Sequence, residues 1–402
     1  KPTQEWAAAA AAELESFPDC RILRRTTVFG VYDGGVYAAV ERVGDHRPKP
    51  APYTPRQRLW RIVAKQSVVC AGAFERPIVF GDNDRPGVML ASAVRTYVNR
   101  FGVTPGRAVV VFADNDAALS TAKDLSDSGV EVRAIVDPRP DASPTAGQAA
   151  TAIGAEYVSG IVDSVSGAHG IKSVRIKDTQ GRMTLFNCDL LAVSGGWNPA
   201  INLTTHLGGK PVWDEARSCL VPGALAPGMR VAGAAAGRFS LDACLASGET
   251  AGGESARDCG FSPVAPSRSA PAQDDERVTP VWHVQSRGGK AFVDLQNDVT
   301  VSDVKLAARE GFRVPDHLKR YTTLGMATDQ GKTSNLNGAA LLAEVTGRYL
   351  GSVGSTTFRP PYTPVAIAAL AGHQRGKEFR PKRLPPSHRG AEENGADFVE
   401  VG

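Results

Sequence analysis

RAVVVFADNDAALSTAKDLSDSGVEVRAIVD, residues 107–137, decides the fold. Arg107–Ala113 is an almost wholly apolar run, the mark of a strand buried on both faces of a parallel sheet. Asp116–Ser128 reads as a helix, Gly129 ends it, and Glu131–Val136 is a second buried strand followed by Asp137. Together they make one βαβ unit of about 30 residues, the size a right-handed crossover requires. Such a unit places a G-x-G-x-x-G loop after its first strand, so that backbone meets pyrophosphate at a helix N-terminus. Here the loop reads Phe112-Ala113-Asp114-Asn115-Asp116-Ala117-Ala118, with no glycine and two carboxylates. Carboxylates at the positive end of the helix take the place that phosphate would need. The unit therefore reads as a dinucleotide fold kept without its ligand, although Asp137 stands where a ribose-binding acid belongs.

Working outward, the chain begins at Lys1 within a helix, Pro2–Ser16. A strand is expected over Arg21–Thr27, and Val28–Val43 reads as a hairpin turning at Asp33-Gly34-Gly35. Leu59–Val69 is expected as one strand, ending in the small-residue turn Cys70-Ala71-Gly72-Ala73. After it comes FERPIVFGDNDRPGVML (74–90), and then a helix, Ser92–Arg100, closed by Gly102. Beyond the βαβ unit, strands at Gly160–Ser166, Lys172–Asp178 and Thr184–Val193 follow in antiparallel style. The chain returns through SGGWNP (194–199) and RVAGAAAG (230–237) to a helix, Ser240–Glu254. Short helices are expected at Val301–Glu310, Pro315–Thr322 and Leu336–Thr346. Arg359–Ser387, with six prolines, is expected to be extended or irregular.

The fold class is thus α/β: two interleaved dinucleotide-binding domains of the FAD/NAD-linked reductase type, then a small helical domain. Residues 1–105 with 190–258 form the first, and 106–189 the inserted second. Residues 259–280 are a linker, 281–350 the helical domain and 351–402 an extended segment. The first domain keeps an accessory set of small-residue turns: Ala71-Gly72-Ala73, Ser194-Gly195-Gly196 and Gly233–Gly237. Strand-end residues such as Thr27 and Val28 commonly meet an adenine edge through backbone groups. The run AGAAAG (232–237) resembles the closing motif of flavin reductases, in which an Asp binds the ribityl chain. Ala stands at that place, 234 or 235, which favours NAD over flavin. Tight turns alone explain the presence of these small residues in part, but not their order.

Hydrophobic residues at 42% and charged residues at 22% are ordinary for a globular protein. The longest apolar tract, Ala7–Ala12, is far short of the roughly 18 residues a membrane span needs. Six cysteines without a C-x-x-C pair exclude a redox dithiol and favour cytosolic thiols. The net charge is +4, and Arg375–Arg389 holds six Lys/Arg against one Glu, without the interleaved aromatics of a nucleic-acid surface. The seven histidines are dispersed and none has metal-ligand spacing. GMATDQGKT (325–333) imitates a phosphate loop, but five residues rather than four separate its first Gly from Gly-Lys, and no strand leads in. Lys332, Thr333 and Ser334 still make a cationic turn before a helix, where an anion could sit. Asp298–Tyr321 has the layout of a [2Fe–2S] module but lacks the four cysteines a cluster needs. No acid, base or nucleophile constellation emerges: catalytic residues none, metal ligands none.

Long strings carry a resemblance. TTVFGVYD (26–33), FERPIVFGDNDRPGVML (74–90), SGGWNPA (194–200), HLGGKPVWDEA (206–216), DVTVSDVKLAAREGF (298–312), HLKRYTTLGMATDQGKTSN (317–335) and TTFRPPYTPVAIAALAGHQRGKEF (356–379) each resemble the alpha subunits of heterotetrameric sarcosine oxidases. The resemblance implies a central portion, with a ferredoxin-like domain and the first G-x-G-x-x-G strand before residue 1 and a folate-binding, T-protein-like domain after residue 402. It implies NAD in this subunit, FAD in the beta subunit, FMN at the alpha–beta interface and tetrahydrofolate in the C-terminal domain. It implies beta, gamma and delta partners, a cytoplasmic setting, and neither nucleic acid nor membrane as partner. Carried over by position, Val28, Ala236 and Leu241 are the best NAD contacts, with Thr27, Gly72, Gly195 and Gly237 at the same site. Lys332, Thr357 and Arg359 would face FMN. An alpha-type subunit of a related amine or opine dehydrogenase, or a non-catalytic nucleotide-binding scaffold, remains an alternative.

Overall fold

A computed structural model describes residues 2–140, 144–265, 279–285, 289–374, 376 and 382–399. Most of the expected linker, and part of the basic run after residue 374, lie outside the described residues. The chain divides into two compact units: 1–29, 38–62 and 364–402 in one, 30–37 and 63–363 in the other.

The smaller unit holds helix Pro2–Ser16 and most of a three-stranded sheet, ordered Thr26–Tyr32, Val36–Arg42, Gln57–Val63. The strand expected from Arg21 starts only at Thr26, because Arg25 is left-handed (φ +53°) and turns the chain. The hairpin reverses at Gly34 and Gly35, both at positive φ, where a side chain would be strained. Trp60 is held from two sides: its indole N–H donates to Glu41 at 2.9 Å, and Arg21 lies 4.7 Å over its ring. Short helices Ile367–Ala371 and His388–Glu393 punctuate the stretch expected to be extended.

In the larger unit a seven-stranded sheet runs in the order Met183–Asn187, Ser173–Asp178, Glu156–Ser166, Glu131–Asp137, Ala108–Ala113, Leu190–Ser194, Val88–Leu90. The last five strands are mutually parallel; the first three form an antiparallel extension. Val109, Val110, Val111 and Phe112 are fully buried, as their uninterrupted apolar run requires. Alternate residues serve opposite faces. Val109 and Val111 pack with Ala91, Val94, Ala122 and Leu125 of helices Ala91–Phe101 and Leu119–Asp127. Val110 and Phe112 pack with Ile78, Phe80, Ala134 and Val136. Each such side chain contributes about 1.5–3 kcal/mol by leaving water.

Two expected strands are broken, each for a visible reason. Thr184–Val193 splits at Cys188-Asp189 into strands at separate positions of the sheet. The exposed Asp189 carboxylate reaches back to accept the backbone N–H groups of Arg107 and Ala108 at 2.9 Å. Leu59–Val69 splits into Gln57–Val63 and Ser67–Val69, with the Ala64 N–H donated to the Gly35 carbonyl. The large sheet takes strands from both before residue 106 and after residue 189.

Outside that sheet, Ser67–Val69 pairs in parallel with Met229–Val231, and Ala73–Glu75 antiparallel with Trp197–Pro199. A 3₁₀ turn, Gly233–Ala236, precedes helix Leu241–Asp258, capped by the Ser240 hydroxyl. The helical module follows: hairpin Phe292–Asp294 with Val299–Thr300, then helices Val301–Arg309, Pro315–Thr322, Asn335–Thr346 and Leu350–Val353. Thr300 and Asp303 form a reciprocal capping box at the first helix. Val304, Leu318, Leu341 and Leu342 centre its core, and Val79 enters the same cluster. Val79 exchanges backbone hydrogen bonds with Trp282 and Val284, and the Asn83 amide bonds both ways with the Phe292 backbone at 2.8 Å. The FERPIVFGDN stretch thus fastens the helical module to the rest of this unit.

Candidate functional site

The glycine-free loop after Ala108–Ala113 is filled by the protein's own side chains. Asp114 is 1% exposed; its carboxylate accepts the Val281 N–H at 2.9 Å and the Asn115 amide at 3.1 Å. Burial raises its pKa, opposed by the Arg76 charge. Arg139 closes the other half of the loop. Its guanidinium forks onto Asp137 at 2.6–3.1 Å and reaches Asp116 at 2.6 Å, and its backbone N–H also donates to Asp137. The two acids expected to face phosphate and ribose are therefore neutralised internally, and their charge holds Arg139 protonated. The Tyr157 hydroxyl sits beside the same group and is pushed up to about 12, chiefly by burial.

The small-residue turns of the first nucleotide fold surround a second cation. Arg76 is 1% exposed and donates to the carbonyls of Gly195 and Ser218, each at 2.6 Å, and to the Asn198 amide oxygen at 3.1 Å. It also stacks 4.6 Å over Trp282. Gly195 and Gly196 make its socket. A Cβ on Gly196, at φ +89°, would fall 2.6 Å from the guanidinium, and one on Gly195 would press on Pro77 at 3.0 Å. Gly72 is left-handed, and its carbonyl accepts the Ala200 N–H at 2.9 Å. Gly237 is left-handed against Val221, and Ala236 is half-buried at the end of its 3₁₀ turn. Leu241 opens its helix 55% exposed. Thr27 and Val28 lie on strand Thr26–Tyr32, in the smaller unit, exposed and half-buried respectively.

A narrow pocket with aromatic walls takes in one further expected residue, Lys332. Phe74, Asn202, Lys332, Asn335, Phe358 and Tyr362 are among those that line it. Lys332 lies 4.7 Å over the Tyr362 ring, and no carboxylate lines the pocket. Burial, helped by the charge of Asp329, keeps the Tyr362 hydroxyl protonated. Thr356 and Phe358 turn inward, whereas Thr357 and Arg359 alternate outward to solvent. The 323–331 turn that leads to Lys332 is conformationally demanding: Thr323, Gly325, Ala327, Gln330 and Gly331 all have positive φ. Asp294, 2% exposed, holds it in place. Its carboxylate accepts the N–H groups of Gln296, Asn297 and Gly325, the Asn297 amide and the Ser334 hydroxyl. Arg76, Arg139 and Asp294 were not singled out from sequence. The one available signal for Arg76 was its place between two apolar, small-residue runs.

Among the described residues no group of three His, Cys, Asp or Glu could hold a metal, and no helix is long and apolar enough to cross a membrane.

Residues 288–373 match the family described as the sarcosine oxidase A3 domain. Over 406 aligned residues the chain is 44% identical to the sarcosine oxidase subunit alpha of Rhizobium meliloti (strain 1021), covering 100% of this chain and 40% of that protein. It is 40% identical to the subunit of the same description from Corynebacterium sp. (strain P-1), covering 99% and 43%. The chain thus spans about two-fifths of the length of these relatives, and the resemblance expected from the motifs runs from end to end. Among solved structures, L-proline dehydrogenase from P. horikoshii superposes with a TM-score of 0.61 at 23% identity, over 86% of this chain and 64% of that one. That likeness supports the α/β reductase-type fold.

Proposed function

We propose that this chain is the nucleotide-scaffold and helical portion of a sarcosine oxidase alpha subunit, acting within an assembly with beta, gamma and delta subunits. The observation that carries the reading is 44% identity sustained over the whole chain. In this reading the assembly converts sarcosine, oxygen and tetrahydrofolate to glycine, hydrogen peroxide and 5,10-methylenetetrahydrofolate. FAD acts in the beta subunit, and folate binds in a domain outside these residues. The chain's first nucleotide fold holds NAD near Ala236, Gly237 and Leu241. In this reading its second fold holds none, because the loop carries Asp114 and Asp116 in place of glycines and Arg139 is committed to Asp116 and Asp137.

The pocket beside Lys332 offers what the phosphate end and ring edge of FMN would need: a cation, amide groups and aromatic walls, with no carboxylate among its lining residues and Asp329 within electrostatic reach. FMN, when bound, supplies a carrier of two electrons that can pass them to oxygen. The residues of this chain would bind and orient it: Lys332 would meet the anion, Phe358 and Tyr362 would exclude water, and Thr357 and Arg359 would present an outward surface to the beta subunit. In this reading the proton of the amine is taken in the partner subunit. The test is FMN loading of the purified assembly. Lys332→Met and Phe358→Ala should each lower FMN per chain several-fold; unchanged FMN in both variants would refute the assignment.

A further inference from the structure

We propose that Gln330 is a positioning residue that locks the Arg359–Pro361 segment onto the 329–334 turn and so pre-forms the pocket beside Lys332. This rests on the FMN reading above. The Gln330 amide acts as a surrogate strand partner. Its NH₂ donates to the Arg359 carbonyl at 2.9 Å and the Pro361 carbonyl at 3.2 Å, while its carbonyl accepts the Arg359 N–H at 2.9 Å. The Gln330 main-chain carbonyl in turn accepts the Asn335 amide at 2.8 Å, and Asn335 lines the pocket. One side chain thus joins the two segments that supply Lys332 on one side and Phe358 and Tyr362 on the other.

The backbone shows that this residue is kept at a cost. Gln330 is held at φ +52°, a conformation glycine adopts without strain and most residues avoid. Strain of this kind persists where surrounding structure over-determines it, and it clusters at ligand clamps. Glycine would relax the turn but could make none of the three side-chain contacts, so the amide is what the position retains. Glutamate matches its shape, yet it loses both N–H donors and sets carboxylate oxygens against two carbonyls.

The experiment uses the assembled complex, depleted of flavin and reloaded with graded FMN. FMN retained by the complex after desalting is read from its flavin absorbance spectrum, alongside the thermal midpoint. Gln330→Gly and Gln330→Glu are each expected to raise the FMN concentration for half-loading about tenfold, the factor for losing one to two net hydrogen bonds of preorganisation. Gln330→Gly relieves the left-handed backbone and Gln330→Glu does not, so the glycine variant is expected to lose less of the thermal midpoint while half-loading shifts equally in both, a split that a merely structural role would not give. Half-loading within twofold of the parent in both variants, while Phe358→Ala impairs it, would overturn the clamp. Loading unaffected by Phe358→Ala as well would overturn the FMN reading and the clamp with it.

Discussion

Replacing Arg76 by Met keeps the aliphatic stem and removes the charge of a buried guanidinium. The guanidinium is 1% exposed, makes three hydrogen bonds and stacks on Trp282. Its loss leaves the Gly195 and Ser218 carbonyls without that donor and takes from buried Asp114 the charge that opposes its desolvation. Breaking a buried charged group from its partners costs about 3–5 kcal/mol. The deficit should depend on pH. Burial already raises the Asp114 pKa, and removal of Arg76 raises it further. A carboxyl whose folded pKa exceeds its unfolded value destabilises the fold progressively as pH rises from the unfolded value through the folded one. The penalty should thus be smallest below the ordinary carboxylate range, where Asp114 is protonated folded and unfolded alike, and should grow as pH rises through its raised folded value. Urea denaturation midpoints of parent and Arg76→Met at pH 5 and pH 8 measure this. A cost below about 1 kcal/mol, or an equal cost at both pH values, would refute the reasoning.

Asp294→Ala should cost about 3 kcal/mol, because several buried donors lose their shared acceptor, and it should lower FMN loading; thermal melting and flavin analysis check both. A double-mutant cycle of Arg139→Met with Asp116→Asn should give a coupling of about 1–3 kcal/mol, since the pair is 2.6 Å apart and largely shielded; a coupling near zero would remove the internal seal of the second nucleotide fold. His206 is held down to about 4 by burial and accepts the Val31 N–H at 3.3 Å. Its neutral form is the folded one, so stability should be full above pH 6.5 and fall by up to about 3 kcal/mol toward pH 4. His206→Asn should flatten that limb of the stability–pH curve.

The βαβ unit was legible because its signals are local: two buried runs, a helix between them and a glycine stop. The same locality misled at Thr184–Val193, where an unbroken β-rich run hides a corner made by Asp189 reaching back to Arg107. The absence of glycine at Asp114–Ala118 was readable in the sequence, but the internal partners of its acids were not. Arg139 lies 23 residues from Asp116, and Val281 lies 167 from Asp114, and no spacing rule links them. Gly195 and Gly196 read as cofactor turns in the sequence; the structure adds that they form the socket of Arg76, a contact no local pattern signals. At the candidate pocket, Lys332 was marked by its cationic turn. Thr357 and Arg359 were picked from a string in which inward Thr356 and Phe358 alternate with them, a distinction that needs the backbone direction.

The most direct test of the central claim is sarcosine-dependent peroxide formation, measured for the polypeptide carrying this chain with and without its partner subunits. The account predicts peroxide from the assembly and none from this chain alone. Turnover by the isolated chain, or an assembly that holds FMN yet does not oxidise sarcosine, would contradict it.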